Sequence, residues 1–449
     1  MNLYKKIIFI LCLAFLFRLF IIFCLPVRPF EKTIQRYHNT AVNLVEGRGY
    51  SHFASAPYKP TVFKPPTYSF FLAAVYKVFG ININIAKVVQ ALLDSLGCLL
   101  LFLLARNYFS HRAAFSVMFL AAICPITAVY TNSLNPENLT LFFMALSLLF
   151  ISRSIIGNNA RDYFCAGLSV ILMGYCRPEF FIFVFIFAGV IFFLKKENKW
   201  KLYLFYFLGV IVIMTPWVTR NYLLTGKFMP LSTGGAAGAV LYWGTLGQEI
   251  DSQDNFSKFL DANPRIKELQ AEIRKVAVEN ENNELDLKKA GEYGEIFRKM
   301  AIARIKSDPK AYILTRLKSI PRVWINLHAD EYTFLNTQKL RLLHPDFQKI
   351  LRYSKEEPEE VLILITKYAF LVINILYLLA ALTGIWVIRR KIFQLAFIIV
   401  PLLFAQALFL LIHISPCYTV PYWPCIIFFS GIGFYYTFFG KHDLGKAYD

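Results

Sequence analysis

Long apolar runs broken by short polar strings dominate the chain, and a helix needs about 20 apolar residues to cross the hydrocarbon of a bilayer. Ten stretches qualify as spans: 7–27, 83–105, 113–131, 137–155, 162–175, 179–194, 201–217, 362–388, 391–412 and 419–439. The fifth and sixth are short and are separated only by the polar break Arg177-Pro178-Glu179. An eleventh apolar stretch, TYSFFLAAVYKVFG (67–80), is too short to span untilted and contains Lys77. The pattern therefore predicts an all-α polytopic membrane protein.

Charge decides how the spans are threaded. If 67–80 does not cross and the N-terminus is cytoplasmic, Lys5, Lys6, Arg106, Arg112, Arg153, Arg161, Lys195, Lys196, Lys199, Lys201, Arg389, Arg390, Lys391, Lys441 and Lys446 all fall inside. The short outer connections 132–136, 176–178 and 413–418 then hold only Arg177. Counting 67–80 as a span would invert everything after it, against the positive-inside rule. The stretch is thus expected to be an interfacial or re-entrant helix on the outer face.

Composition agrees. Of 449 residues, 57% are hydrophobic, 17% aromatic and 17% charged, with 44 Phe, whereas soluble domains carry roughly 25% charge. The net charge of +19 is read as topology and attraction to anionic headgroups, not as a nucleic-acid surface. The N-terminal apolar run exceeds a signal-peptide core and lacks a small-residue cleavage site, so it is expected to remain as an anchor. The cysteines show no CxxC spacing, and none lies in the long polar segment 218–361, which excludes a disulfide framework there.

Three parts follow: an N-terminal transmembrane module, 1–217, whose first outer loop is 28–82; a mostly helical outer segment, 218–361; and C-terminal transmembrane helices with a cytoplasmic tail, 362–449. Within the outer segment, 264–300 reads as exposed helix. Residues 301–324 interleave basic and apolar positions as a helix lying on a membrane surface would. Arg18 and Asp94 lie inside spans, roughly 14–17 Å below the outer face at 1.5 Å per residue. An unpaired charge at that depth is costly, so they are expected to pair.

Polar residues of the outer face gather in short strings: EKTIQRYHNTAVNLVEGRGYS (31–51), YKPTVFKPPTYSFFLAAVYKVFG (58–80), CPITAVYTNSLNPENLTLFFMAL (124–146), GYCRPEFF (174–181), TPWVTRNYLLTGKFMPLSTGG (215–235) and SPCYTVPYWP (415–424). In this order and spacing the chain resembles the membrane glycosyltransferases of the GT-C class. The branch it resembles is that of protein-mannosyltransferase-like and aminoarabinose-transferase-like enzymes (glycosyltransferase family 39-like). The resemblance implies a GT-C-like fold with outer-face juxtamembrane helices. It also implies inverting transfer of a sugar from a polyprenyl-phosphate-linked donor to an acceptor protein, lipid or glycan outside the membrane. A bacterial inner or plasma membrane, with the active site on the periplasmic or extracellular face, fits this expectation.

Such transfer needs a base for the acceptor and cations for the departing phosphate. The family pattern has an Asp four positions before a Tyr in the first outer loop. Here the Tyr is Tyr37, preceded by Arg36, and the Asp position is Thr33. Glu31 is the nearest carboxylate and one expected base. Glu137, opening the fourth span after Asn135-Pro136, is the other, although a carboxylate in a first helical turn is also favoured by the helix dipole. Arg36 and Lys64 match phosphate-holding positions of the family; Arg177 and Arg220 are added on charge and placement, and Tyr37 and His38 as pocket residues. Trp217 reads as aromatic belt. The resemblance leaves a divalent metal ion open as cofactor, without a metal-ligating motif to hold it. Two other readings stand beside transfer: a lipid-phosphate-binding scaffold of the same fold that has lost catalysis, suggested by Thr33, and a transporter or flippase, which would favour midplane polar residues and repeat symmetry that the sequence lacks.

Overall fold

The computed structural model describes residues 2–24, 32–195, 200–232, 241–242, 244–245, 292–325, 358–412 and 416–440, and among these the chain is helical with no strand. The helices are α1 (Leu3–Cys24), α2 (Lys32–Val45), α3 (Pro66–Phe79), α4 (Ile83–Arg106), α5 (His111–Ile123), α6 (Pro125–Ala128), α7 (Pro136–Ile156), α8 (Ala160–Gly174), α9 (Phe183–Leu194), α10 (Trp200–Thr225), α11 (Glu292–Ser307), α12 (Pro309–Trp324), α13 (Pro358–Val387), α14 (Ala396–Leu411), α15 (Pro416–Thr419) and α16 (Trp423–Phe439).

Among the described residues, seven helices are long and apolar enough to cross a membrane, and an eighth span results if α5 and the following helical segment, bent by 45°, count as one. Ten spans were expected. With the bent pair counted as one span, the shortfall lies at the fifth and sixth stretches. There α8 has 15 residues and the apolar helix Pro178–Leu194 falls in the shorter class, each covering less than the roughly 30 Å hydrocarbon at 1.5 Å per residue. The stretch expected at the interface is α3, 14 residues opened by Pro66 at its first position, where the missing N–H costs nothing. Gly80, at φ 81°, ends it.

Glycine brings the spans together. A side chain at Gly167 of α8 would overlap the Tyr206 carbonyl of α10, and one at Gly209 would overlap that of Phe164. Gly384 of α13 and Gly433 of α16 face each other's backbones in the same way. Small residues at such crossings allow the close backbone approach on which packing in lipid depends. Most of α16 is buried, and it forms the centre against which α5 and α13 pack.

Arg18 and Asp94 do pair. Arg18 Nε lies 2.5 Å from Asp94 Oδ2, and its remaining donors reach the Ala122 carbonyl at 2.8 Å and the Ala121 carbonyl at 3.2 Å. The contact ties α1, otherwise exposing Phe9, Leu16, Phe20 and Phe23, to α4 and the end of α5. Elsewhere, Tyr312 and Arg316 of α12 donate to the Leu411 and Ile412 carbonyls at the end of α14, both at 2.7 Å. This leaves Ile313, Leu314 and Leu317 exposed, the apolar face that a surface-lying helix uses. The expected exposed helix at 264–300 lies mostly outside the described residues; its last part belongs to α11.

Candidate active site

The loop between α2 and α3 folds back over the ends of the spans and is fastened at several points. Gly47 and Gly49, at φ 73° and 81°, turn the chain after α2. Tyr50 is buried, with Oη 2.9 Å from the Pro65 carbonyl and 3.1 Å from that of Lys64. Arg220 donates to the Thr61 carbonyl at 3.0 Å and more weakly to that of Tyr50 at 3.4 Å, with its guanidinium over the rings of Tyr50 and Trp217. The Thr67 amide donates to the Tyr175 carbonyl at 3.2 Å, holding the start of α3 against the end of α8.

These fastenings present two cations. Arg36 of α2 lies over the Phe63 ring at 4.3 Å. Lys64 Nζ lies 5.0 Å from the centre of the Tyr37 ring and 5.5 Å from that of Phe63. Burial, with the positive charges of Arg36 and Arg177 adding to it, lowers the Lys64 ammonium to a pKa of about 8 against the opposing pull of Glu137. Tyr37 itself is buried edge-on to Tyr68 at 5.2 Å, and burial raises its phenol well above the ordinary value. Tyr68 donates to Gln90 Oε1 at 2.5 Å. Gln90 Nε2 in turn donates to the carbonyls of Thr131 and Ser133. One side chain of α4 therefore links α3 to the connection 131–133, which leads into Glu137.

Pro136 at the first position of α7 sets Glu137 in the first turn. Glu137 is buried, and its Oε1 accepts from Arg177 Nη1 at 2.8 Å. Arg177 Nε donates to Glu179 Oε1 at 2.6 Å, and Nη1 also reaches the Cys417 carbonyl at 3.2 Å. The Tyr418 ring covers the guanidinium at 4.8 Å. Arg177 is thus occupied by protein acceptors, whereas the second oxygen of Glu137, Oε2, is buried without a partner. A buried, unsatisfied carboxylate oxygen is costly to keep and asks for an explanation.

Beneath this ionic group lies an apolar groove of about 800 Å³ between α3, α4, α7, α8 and α10, walled by Phe70, Phe71, Leu93, Phe142, Phe143 and Leu172. Thr67 and Leu139 also line it, adjoining Lys64 and Glu137 within three residues along the chain.

Of the expected site residues, Arg36, Tyr37, Lys64, Glu137 and Arg177 share this end of the bundle, and the charges felt by Lys64 are those of Arg36, Glu137 and Arg177. Arg220 serves the loop fastening on the side of Tyr50. His38 turns away toward the far end of α3, its Nδ1 2.9 Å from Tyr76 Oη, and burial lowers its pKa. Glu31 lies outside the described residues; Thr33 falls in α2, one helical turn before Tyr37. Trp217 departs from the belt expectation. It is buried, because α10 continues to Thr225 and the first loop folds over it. Gln90, Tyr68, Glu179 and Tyr418 were not singled out as site residues; the carboxylate of Glu179, two residues from Arg177, was the one readable sign. Among the described residues no three His, Cys, Asp or Glu side chains assemble as a metal site.

Residues 63–219 match a family described as dolichyl-phosphate-mannose-protein mannosyltransferase. The fold is similar to that of the archaeal oligosaccharyltransferase AglB from Archaeoglobus fulgidus, solved in complex with an inhibitory peptide and a dolichol-phosphate. That similarity has a TM-score of 0.52 at 14% identity and covers 96% of this chain but 50% of that one. The chain therefore spans half the length of that structure. No curated protein sequence matches it. The sequence-based resemblance to the GT-C glycosyltransferases, and the all-α polytopic fold that it implied, are both borne out.

Proposed function

We propose that this membrane protein transfers a sugar from a polyprenyl-phosphate-linked donor to an acceptor on the outer face of the membrane, with inversion, and that Glu137 is the base. The observation that carries the reading is the state of Glu137. One oxygen is fixed by Arg177 and the other is buried and unpartnered, beside the ammonium of Lys64 and above a lipid-sized groove.

In this mechanism the lipid chain of the donor lies in the groove and its phosphate meets Lys64 and Arg36. Glu137 Oε2 takes the proton of the acceptor nucleophile as that atom forms its bond to the anomeric carbon. The bond from the anomeric carbon to the phosphate oxygen breaks on the opposite face, and the electron pair leaves with the phosphate. Lys64 and Arg36 neutralise the growing charge on it. Arg177 is a positioning residue that aims Glu137. The family match and the dolichol-phosphate held by the structural neighbour support a lipid-phosphate donor; the chemistry admits a protein, lipid or glycan acceptor.

Thr33, standing where the related enzymes have an Asp, favours a second reading: a protein that binds the lipid-phosphate sugar and does not transfer it. Purified protein in lipid nanodiscs, offered a panel of radiolabelled polyprenyl-phosphate sugars and acceptor extract, separates the two. Release of polyprenyl phosphate that disappears in Glu137→Gln while donor binding persists establishes Glu137 as the base. Release that persists in Glu137→Gln and disappears in Glu31→Gln transfers the role to Glu31. Binding without release from any sugar establishes the second reading.

A further inference from the structure

The groove has a polar end that the transfer chemistry does not use. Tyr175, at the end of α8, and Trp217 and Arg220, one turn apart on α10, all line it. Tyr175 and Trp217 are 1% and 5% exposed, and their rings stand 6.5 Å apart. Neither Tyr175 Oη nor Trp217 Nε1 has a hydrogen-bond partner. The Arg220 guanidinium lies over the Trp217 ring at 4.8 Å. Its bonds to Asn221, Tyr50 and Thr61 leave two of its five N–H groups for something else.

Three donors of different kinds therefore meet on the wall of an otherwise apolar cavity, two of them buried without an acceptor. Unpaired buried donors cost free energy, and an apolar pocket with a few convergent polar groups is the ordinary form of a ligand site. The contacts of this group differ from those of the cations of the transfer site: Arg220 bonds the Tyr50 and Thr61 carbonyls, whereas Lys64 lies over the rings of Tyr37 and Phe63.

We propose that Tyr175 and Trp217, with Arg220, form a second phosphate position for the polyprenyl carrier, with the carrier's chain in the groove and its head on these three donors. This rests on the reading of the protein as using a polyprenyl-phosphate donor. After transfer the carrier is a phosphate monoester, which bears three strongly accepting oxygens and close to two negative charges near neutral pH. An indole N–H, a phenol O–H and a guanidinium supply one donor for each of three oxygens, and the guanidinium offsets one of the negative charges. A phospholipid's diester offers only two such oxygens to the three donors, a poorer match.

The test uses the full-length protein in nanodiscs and measures binding of radiolabelled, sugar-free polyprenyl phosphate, with phosphatidylglycerol as competitor. Trp217→Phe and Tyr175→Phe each remove a donor and keep the ring, and each is expected to weaken binding about tenfold with unchanged thermal stability. Val212→Trp, which fills the groove from an exposed position on α10, is expected to abolish binding without touching a polar group. Wild-type binding that neither Phe variant alters overturns the proposal and leaves the transferase reading standing. Equal competition by phosphatidylglycerol overturns it in favour of an ordinary membrane lipid. No wild-type binding at all refutes the donor class itself.

Discussion

Arg177 Nη1 lies 2.8 Å from Glu137 Oε1, and the same guanidinium reaches Glu179 at 2.6 Å, so one cation in the turn after α8 holds two carboxylates. The planar fork of Arg suits this; a lysine, with a single charged nitrogen, cannot serve both directions at once.

Arg177→Lys and Arg177→Gln therefore separate a positioning residue from a phosphate ligand. If Arg177 aims the base, release of polyprenyl phosphate at saturating donor falls on the order of 100-fold, the cost of losing a fixed electrostatic group, while KM changes little. A raised KM with kcat preserved would mean that the arginine binds donor in ground and transition state alike. Steady-state kinetics over a donor series reads the difference.

If Lys64 holds the donor phosphate, transfer is expected to depend on pH. Its ammonium, lowered from 10.5 to about 8 by burial and by Arg36 and Arg177, is charged below that pH and neutral above it. A phosphate needs the charged form, so kcat/KM, which reports the free enzyme, is expected to fall as pH rises through about 8. With donor bound, the phosphate's negative charge favours the ammonium, so the falling limb of kcat moves to higher pH. Lys64→Arg, whose guanidinium stays protonated, is expected to remove the limb from kcat/KM. A limb unchanged in that variant would assign it to another group.

The polar network inside the membrane carries stability instead. Asp94→Asn leaves the Arg18 guanidinium buried and unpaired, and breaking such a pair costs about 3–5 kcal/mol. A lower unfolding temperature in detergent is expected, with Arg18→Leu/Asp94→Leu recovering much of the loss because no charge remains to be buried. Asp94→Asn that melts with the wild type would show that the pair contributes nothing.

The sequence carries the parts of this structure set by composition and by short range. The apolar runs locate the helices, the brevity of 67–80 matches a helix of 14 residues, and two lone charges at similar depth announce their pairing. What it does not carry is long-range closure. Glu137 and Arg177 are forty residues apart, and the sequence gives them separate roles, base and phosphate ligand; only the packing of α7 beside α8 makes them one unit. Gln90, a polar residue in an apolar helix, gives no sign that it holds α3 and the second outer connection together. Trp217 reads as belt because a hydropathy window ends at the polar run Thr219-Arg220-Asn221, whereas the helix continues and residues 50–61 fold over the ring. The bend at Pro125 and the short α8 and α9 reduce the span count for a similar reason: an apolar stretch has a length in residues, and helix breaks decide how far it reaches.

The crossing of α8 and α10 positions both ends of the groove. Gly167 of α8 abuts the Tyr206 carbonyl of α10, and these two helices lead to Tyr175 and Arg177 on one side and to Trp217 and Arg220 on the other. Gly167→Ala puts a methyl group into backbone that cannot yield as a side-chain end would, so the helices must separate. The expected result is a lower unfolding temperature together with weakened binding of polyprenyl phosphate, since the donors on α8 and α10 part company. Gly189, inside α9, has nothing within 4 Å of where a Cβ would stand. There the same substitution is expected to be neutral or to stabilise by up to about 1 kcal/mol through helix propensity. Measuring both in the same detergent isolates the crossing from the general effect of removing a glycine, and equal melting temperatures for the two variants would show that the crossing tolerates the extra carbon.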